Sequence, residues 1–237
     1  IGSSFFLILN IYLAKNGFSD TEIANFISYR FLAVMLLAFP LGFYIKGRPL
    51  KPFFIIGSLA VPLISIFLII AIKHNLYSLL PFSFILLGLF FTLFQVSTLP
   101  YIMRNTNTDS HSHAISLNYA THSFGTIISG IIIFIFSQFM RDVDEGSILI
   151  GISVFSFLAL FYLLKMKVDV VLPVKNVAQL KSYNWLLIIK AVIPTLIIAI
   201  GAGLTIPFIN LFFFHNFQID SAGFSIIGAI ASILVAC

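Results

Sequence analysis

The chain has 237 residues and a net charge of +5, with 60% hydrophobic and only 9% charged residues. Soluble domains are roughly 45–50% apolar and about 25% charged, so this composition excludes a water-soluble fold and favours a lipid environment. The basic residues lie in short connections between apolar stretches and form no stripe or nucleic-acid-reading motif, which argues against a nucleic-acid partner.

Apolar stretches follow one another along almost the whole chain, and a bilayer span needs about 20 such residues. They lack the period-2 alternation of a membrane barrel, so we predict helices, whose backbone hydrogen bonds close within one segment. The first stretch, residues 1–14, is too short to span, and we expect its helix to begin before Ile1. The later predicted spans are 21–45, 52–72, 77–103, 114–140, 147–164, 183–214 and an eighth from 222 that we expect to continue past Cys237.

Short connections make consecutive helices antiparallel neighbours, so the charges can be sorted onto two sides. The side richer in lysine and arginine is cytoplasmic by the positive-inside rule, as are the N-terminus and the connection at 166–182. This basic side receives Lys46, Arg48, Lys51, Arg104, Lys165, Lys167, Lys175 and Lys181. The opposite side receives Asp20, Glu22, Asp142, Asp144, Glu145 and Asp220, together with Lys15, Lys73 and Arg141.

A displacement of 200 residues superposes polar residues near the two ends of the chain. The matched pairs include Asn10–Asn210, Asn16–Asn216, Asp20–Asp220 and Ile27–Ile227. Apolar runs also align by chance, but these polar matches at a helix end favour a genuine repeat. Both copies enter from the same side, so the repeat is parallel. We predict an N-terminal six-helix half at 1–165, a cytoplasmic linker at 166–182 and the start of a C-terminal half at 183–237.

Two segments carry a resemblance to a known family. NGFSDTEIANFISYRFLAVMLLAFPLGFYIKGRPLKP (16–52) and IGAGLTIPFINLFFFHNFQIDSAGFSIIGAI (200–230) look like helix 2 with its cytoplasmic 2–3 loop, and helix 7 through helix 8, of the major facilitator superfamily. The resemblance implies an all-α, polytopic transmembrane bundle with a six-helix N-terminal half and the start of a C-terminal half. It implies a monomeric secondary transporter that moves a small solute by rocker-switch alternating access, without a cofactor.

The 2–3 loop of this resemblance contains Gly42, Lys46, Arg48 and Lys51 as candidate conformational residues. The family places an aspartate four residues after the glycine, and here Lys46 stands at that position. The acid that would pair across helix ends is therefore absent. In the fifth helix, Gly125 and Gly130 lack the proline that follows the glycines of the antiporter motif.

Arg30 is the sharpest candidate for solute binding. It lies about 13 Å along the second helix at ~1.5 Å per residue, and polar groups inside lipid are costly enough to suggest function. One hypothesis is a cavity arginine that binds an anionic solute or a carboxylate on a partner helix. The alternative is a side chain that extends to the outer interface.

A polar stripe follows one face of the fifth helix through Asn118, His122, Gly125 and Ser129. One hypothesis has His122 titrating near neutral pH and coupling transport to protons. The alternative is a small-residue helix contact through Gly125 and Ser129. Both hypotheses can hold in different thirds of the helix.

Three further polar residues are cavity candidates. Gln95 lies at the depth of His122 and lines a polar cavity with Thr92, or instead makes an interhelical hydrogen bond. Asn10 and Asn210, the repeat pair, cap the two halves of the cavity near its outer mouth, or instead pack symmetrically.

Two other functions are alternatives to transport. An intramembrane enzyme, such as a lipid-modifying transferase, needs clustered Asp, Glu, His or Ser near one interface, whereas the acids here fall in loops or at helix ends. A sensor or scaffold on a transporter fold is the third hypothesis. The stretch from Asp109 to His113 is interpreted as a solvated loop, so we predict no metal and no enzyme. The expected partners are the bilayer of a bacterial inner (plasma) membrane, a solute, and protons as the coupling ion.

Overall fold

The computed structural model describes residues 2–139, 144–166 and 184–236. Within these ranges the regular structure is helical and no strand occurs, which confirms the all-α class. The predicted linker lies outside the described residues, apart from Met166. The helices are α1 (Gly2–Lys15), α2 (Asp20–Tyr44), α3 (Lys51–Lys73), α4 (Leu80–Asn105), α5 (His111–Phe139), α6 (Glu145–Ser156), α7 (Leu158–Lys165), α8 (Trp185–Thr205), α9 (Ile209–Phe217) and α10 (Ser221–Ala236).

Six stretches of the described chain are long and apolar enough to cross a membrane. Large apolar side chains stay exposed along them, including Met35 at 68% and Ile198 at 71%. Soluble proteins rarely expose continuous apolar surface, whereas a lipid-facing surface requires it. The six stretches are Asp20–Tyr44, Lys51–Lys73, Tyr77–Asn105, Thr108–Phe136, Glu145–Lys165 and Leu186–Phe217.

The predicted sixth and seventh spans are each interrupted. In the sixth, Ser153 and Ser156 donate their hydroxyls to the carbonyls four residues earlier, at 2.8 and 3.0 Å, a bond that often bends helices. The helix breaks directly afterwards, at Phe157, between α6 and α7. In the seventh, a 3-10 turn at Ile206–Phe208 separates α8 from α9, where Pro207 has no backbone donor.

The fifth predicted span also starts earlier than expected. Residues 108–110 form a 3-10 turn and α5 begins at His111, so the predicted loop from Asp109 to His113 is mostly helical. His111 Nε2 lies 3.1 Å from the carbonyl oxygen of Thr106. This contact ties the first turn of α5 to the end of α4.

The two segments of the proposed repeat are built alike. α1 and α9 each end before a residue with a left-handed backbone, Gly17 at φ +87° and Gln218 at φ +54°. Asn16 donates to the carbonyl of Tyr12 at 2.7 Å, and Asn216 donates to that of Phe212 at 3.0 Å. The superposed asparagines thus make the same contact, four residues back along each helix.

The helices that follow these turns are both capped at their N-termini. Ser19 and Glu22 form a capping box at the start of α2, with Ser19 N donating to Glu22 Oε2 at 2.9 Å. At the start of α10, Asp220 Oδ1 accepts from Gly223 N at 2.9 Å. The two helical hairpins, α1–α2 and α9–α10, therefore have the same plan.

Close helix packing depends on two glycines. A Cβ on Gly88 of α4 would collide with the carbonyl oxygen of Arg30 and come within 3.0 Å of the Ala33 Cβ, so the glycine lets α2 approach α4. A Cβ on Gly130 of α5 would lie 2.7 Å from the carbonyl oxygen of Ser225, so this glycine lets α10 approach α5.

We call α1–α7 the first group and α8–α10 the second group. The two groups meet where α5 packs along α10 and where α1 contacts α9 and α10. None of the described side chains of α8 is buried. The most extensive described packing between the groups therefore lies at α1, α5, α9 and α10.

The described charged residues outside the helix interiors gather at two opposite ends of the bundle, as the sequence predicts. At the end that carries Asp20, Asp144 and Glu145, which we call the acidic end, side chains of these acids contact lysines and a histidine from other helices. Lys15 pairs with Glu145, Lys73 Nζ lies 3.2 Å from Asp144 Oδ2, and His215 Nε2 lies 3.0 Å from Asp20 Oδ1. The last pair joins the first group to the second.

At the opposite end, which we call the basic end, cations bind main-chain carbonyls. Lys51 Nζ donates to the carbonyl oxygens of Leu164 and Met166 at 2.8 and 2.7 Å. Arg104 donates to those of Arg48 and Ile45 at 2.7 and 3.2 Å. Each contact satisfies carbonyls at or just beyond a helix C-terminus, where cations are favourable.

Candidate solute cavity

A cavity of about 480 Å³ lies between the first and second groups. Its wall is formed by α1, α2, α4, α5, α9, α10 and the turn before α9. Of the residues proposed from sequence, Asn10, Arg30, His122 and Asn210 line this one cavity. Residues up to 200 positions apart and on four different helices are thus brought to the same space.

Arg30 lies in this wall among aromatic rings. Its Cζ is 3.6 Å from the ring centroid of Phe6, 5.0 Å from that of Phe31 and 5.7 Å from that of Phe91. The ring faces attract the cation, but they do not offer the planar acceptor pair that a guanidinium binds best. Arg30 Nε is buried and has no hydrogen-bond partner.

The guanidinium has no acidic counterpart among the ion pairs of the described residues. Those pairs are Lys15–Glu145, Lys73–Asp144 and Asp20–His215, all at the acidic end. The Arg30 guanidinium lies over the Phe6 ring. The cavity therefore presents a cation whose charge no described side chain neutralises.

Asn10 and Asn210 meet directly. Asn10 Nδ2 donates to the carbonyl oxygen of Pro207 at 2.7 Å and to Asn210 Oδ1 at 3.3 Å. Both asparagines are buried, at 4% and 2% exposure, and Asn10 Oδ1 has no partner. The repeat pair thus joins the two groups and leaves one buried acceptor in the cavity wall.

His122 is exposed and lines the cavity on α5 with Ser123 and Thr126. The alternative of a small-residue contact at Gly125 is wrong, because a Cβ built on Gly125 meets no atom within 4 Å. The close approach of a neighbouring helix is five residues further on, at Gly130, which lies on a different face of α5. No observation tests proton coupling by His122, which stays a prediction.

Gln95 and Asn118 do not line the cavity. Gln95 is exposed on α4, and Asn118 is half-buried on α5, one turn before His122. Thr92, the predicted companion of Gln95, is buried and donates to the carbonyl of Gly88 at 2.6 Å within its own helix. The polar wall proposed for Thr92 and Gln95 is therefore not formed.

Contacts between the two groups lie on the acidic side of the cavity. The contacts Asp20–His215, Asn10–Asn210 and Gly130–Ser225 join the two groups there. Closer to the start of α5, Gly125 has open space where a Cβ would stand and His122 is exposed.

The contacts of the 2–3 loop differ from those that the resemblance implies. Gly42 is exposed and has open space where a Cβ would stand, while the left-handed backbone is at Gly47, with φ +70°. Lys46 is exposed on the turn, and the Arg48 guanidinium lies 3.9 Å from the ring centroid of Tyr44. Lys51 links the start of α3 to the end of α7 by donating to main-chain carbonyls. A pattern of charges in the sequence does not identify such partners.

The aromatic neighbours of Arg30 were missed from sequence. Phe6, Phe31 and Phe91 belong to a set of 28 phenylalanines, and nothing in their spacing distinguishes them from lipid-facing ones. Only the fold shows that they surround a cation.

No protein-family model, curated protein or solved structure matches the chain. The resemblance to the major facilitator superfamily therefore rests on the two sequence segments alone.

Proposed function

We propose that the protein is a secondary transporter that moves a small anionic solute across a membrane by alternating access, in an arrangement like that of the major facilitator superfamily. The observation that carries the proposal is the cavity between the two groups, with Arg30 in its wall and no described acid beside it. Solute sites of such transporters lie near the middle of the membrane, between the repeats. Arg30 lies about 15 Å from the start of α2 at ~1.5 Å per residue, near that depth.

The chemistry of the solute follows from the wall. A guanidinium binds a carboxylate through two parallel hydrogen bonds, and such bonds are strong where water is excluded. The unpartnered Asn10 Oδ1 adds an acceptor that suits a hydroxyl or amine on the solute. A carboxylate-bearing solute therefore fits the cavity better than a neutral or cationic one.

The transport cycle follows from the two ends. With the basic end assigned to the cytoplasm, the proposed cycle takes the described conformation as the one that exchanges solute with the inside, because the contacts between the groups lie on the acidic side. Opening to the outside requires the Asp20–His215 pair and the packing of α5 on α10 to separate. His122, on the cavity wall, is the residue we propose for coupling to protons.

The test is uptake of labelled carboxylates, amines and neutral solutes by proteoliposomes that contain the purified protein. We expect saturable uptake of a carboxylate, reduced at least tenfold in Arg30→Ala and partly restored in Arg30→Lys. Lys190→Ala, which removes an exposed cation from α8 outside the cavity, is the matched control and should behave as wild type. Uptake that is unchanged in Arg30→Ala would contradict the proposal.

Proton coupling has its own measurement. We expect the pH profile of uptake to flatten in His122→Gln. An unchanged profile rules out coupling through this imidazole and leaves the role of Arg30 intact.

A further inference from the structure

A second cavity, of about 140 Å³, lies inside the first group between α1, α3, α4 and the α6–α7 break. We call it the apolar pocket; its wall includes Phe5, Val61, Pro62, Leu87 and Ala159. Phe6 and Phe91 line both this pocket and the solute cavity. Two of the three rings around Arg30 therefore border both spaces.

The serines of the apolar pocket do not make it polar. Ser58, Ser153 and Ser156 each donate to a carbonyl of their own helix, at 3.1, 2.8 and 3.0 Å. Their donors are thus already used. The fourth serine of the wall, Ser65, is buried at 3% exposure. Most of the wall is apolar, so the pocket suits a mainly apolar group.

The volume sets the size of that group. An apolar cavity of roughly 150 Å³ holds one benzene molecule and stays dry when empty. The pocket here is of that size, and it extends from the rings that contact Arg30, whose Cζ is 3.6 Å from the Phe6 centroid. A carboxylate on Arg30 therefore lies close enough for an attached side group to reach the pocket past Phe6 or Phe91.

We propose that the solute is a carboxylate with an apolar group about the size of a benzene ring, held by Arg30 at the anionic end and by the apolar pocket at the other. This inference rests on the proposed transport of an anion through the neighbouring cavity. Free aryl carboxylates and longer fatty acids share this chemistry. The limited volume favours the short, compact form.

Ala159 offers a way to fill the pocket. It lines the pocket and is exposed, so a larger side chain there can enter the pocket without displacing buried neighbours. Val154 on α6 is also exposed, at 53%, and lies outside the pocket wall. Ala159→Phe therefore fills the pocket, and Val154→Phe adds a ring to the neighbouring helix without doing so.

The experiment is calorimetric titration of the purified protein with acetate, butyrate, 3-phenylpropionate and palmitate. In wild type we expect 3-phenylpropionate to bind at least tenfold more tightly than acetate, and palmitate to gain nothing over butyrate. Ala159→Phe should weaken 3-phenylpropionate at least tenfold and leave acetate unchanged, while Val154→Phe should match wild type. Ala159→Leu, a smaller substitution, should give an intermediate loss and guards against misfolding of Ala159→Phe.

The outcomes separate the two proposals. If short carboxylates bind through Arg30 but 3-phenylpropionate gains nothing, or is insensitive to both Ala159 variants, the apolar pocket is not part of the site and the transport proposal stands. Preference for palmitate over 3-phenylpropionate would also overturn the inference, since it indicates a lipid chain. If no carboxylate binds, or Arg30→Ala binds them as wild type does, both proposals fail.

Discussion

The acidic and basic ends of the bundle are closed by different chemistry. At the acidic end, carboxylates pair with lysine or histidine side chains across helices, and one pair, Asp20–His215, joins the two groups. At the basic end, Lys51 and Arg104 hold main-chain carbonyls, and both contacts stay within the first group. The described contacts therefore fix the first group as a unit at its basic end but join the groups near its acidic end.

This difference suits a protein whose groups move relative to each other. Exposed ion pairs contribute only about 0.2–1 kcal/mol, so the Asp20–His215 pair can break during a cycle at small cost. Charged hydrogen bonds to carbonyls contribute about 1.5–3 kcal/mol, which suits contacts that persist. Under the proposed cycle, the acidic end opens and closes while the basic end of the first group keeps its shape.

The largest effect is expected where α5 meets α10. Gly130→Leu places a side chain against the Ser225 carbonyl, 2.7 Å from the built Cβ, and overpacking of this kind destabilises by roughly 1–3 kcal/mol. We expect a lower thermal unfolding temperature in detergent and weaker closure of the acidic end. Gly125→Leu, in the same helix but facing open space, is the control and should unfold near the wild-type temperature. Equal effects of both variants would show that α5 and α10 are not in contact at Gly130.

A moderate effect is expected at the basic end. Lys51→Met keeps the length of the side chain but removes the donor to the Leu164 and Met166 carbonyls, so we expect a loss of about 1–2 kcal/mol of unfolding free energy. Lys165→Met is the control, since the contact its ammonium makes among the described residues is with the Phe161 ring, at 4.1 Å. A loss of unfolding free energy in Lys165→Met as large as in Lys51→Met would contradict a stabilising role for the Lys51–carbonyl hydrogen bonds.

The smallest effect is expected for the pair that joins the groups. Asp20→Asn and His215→Gln, alone and together, form a double-mutant cycle in which we expect a coupling free energy of about 0.2–1 kcal/mol. Their effect on uptake should exceed their effect on stability, since the pair acts mainly on the position of the conformational equilibrium. A coupling of several kcal/mol would mean that the acidic end is a permanent joint.

The sequence predicted the helices and several cavity residues for physical reasons. Apolar runs of bilayer length can only be helices when they do not alternate, and a buried charge in such a run stands out against its neighbours. This is why Arg30 could be named in advance. The repeat singled out Asn10 and Asn210 as a pair, because equivalent residues in two parallel copies lie symmetrically about the space between the copies.

The rotation of each helix about its own axis and the packing of apolar side chains could not be predicted from the sequence. Gln95 was placed at the right depth relative to His122, but depth alone does not say which face of α4 points inward. One hypothesis placed the small-residue contact at Gly125, but the close approach is at Gly130, which lies off the predicted stripe, because the face that meets the partner helix is not fixed by the sequence of α5 alone. The interruption at Phe157 has no proline to mark it, and the apolar pocket is lined by residues that resemble the lipid-facing surface.

The most direct measurement is the side from which the cavity can be reached. With Cys237, the only cysteine of the sequence, replaced by serine, Gly125→Cys reports on the cavity and Asp144→Cys on the acidic end. We expect a membrane-impermeant maleimide to label Gly125→Cys in inside-out vesicles but not in intact cells, and to label Asp144→Cys with the opposite preference. Labelling of both positions from the same side would contradict the account.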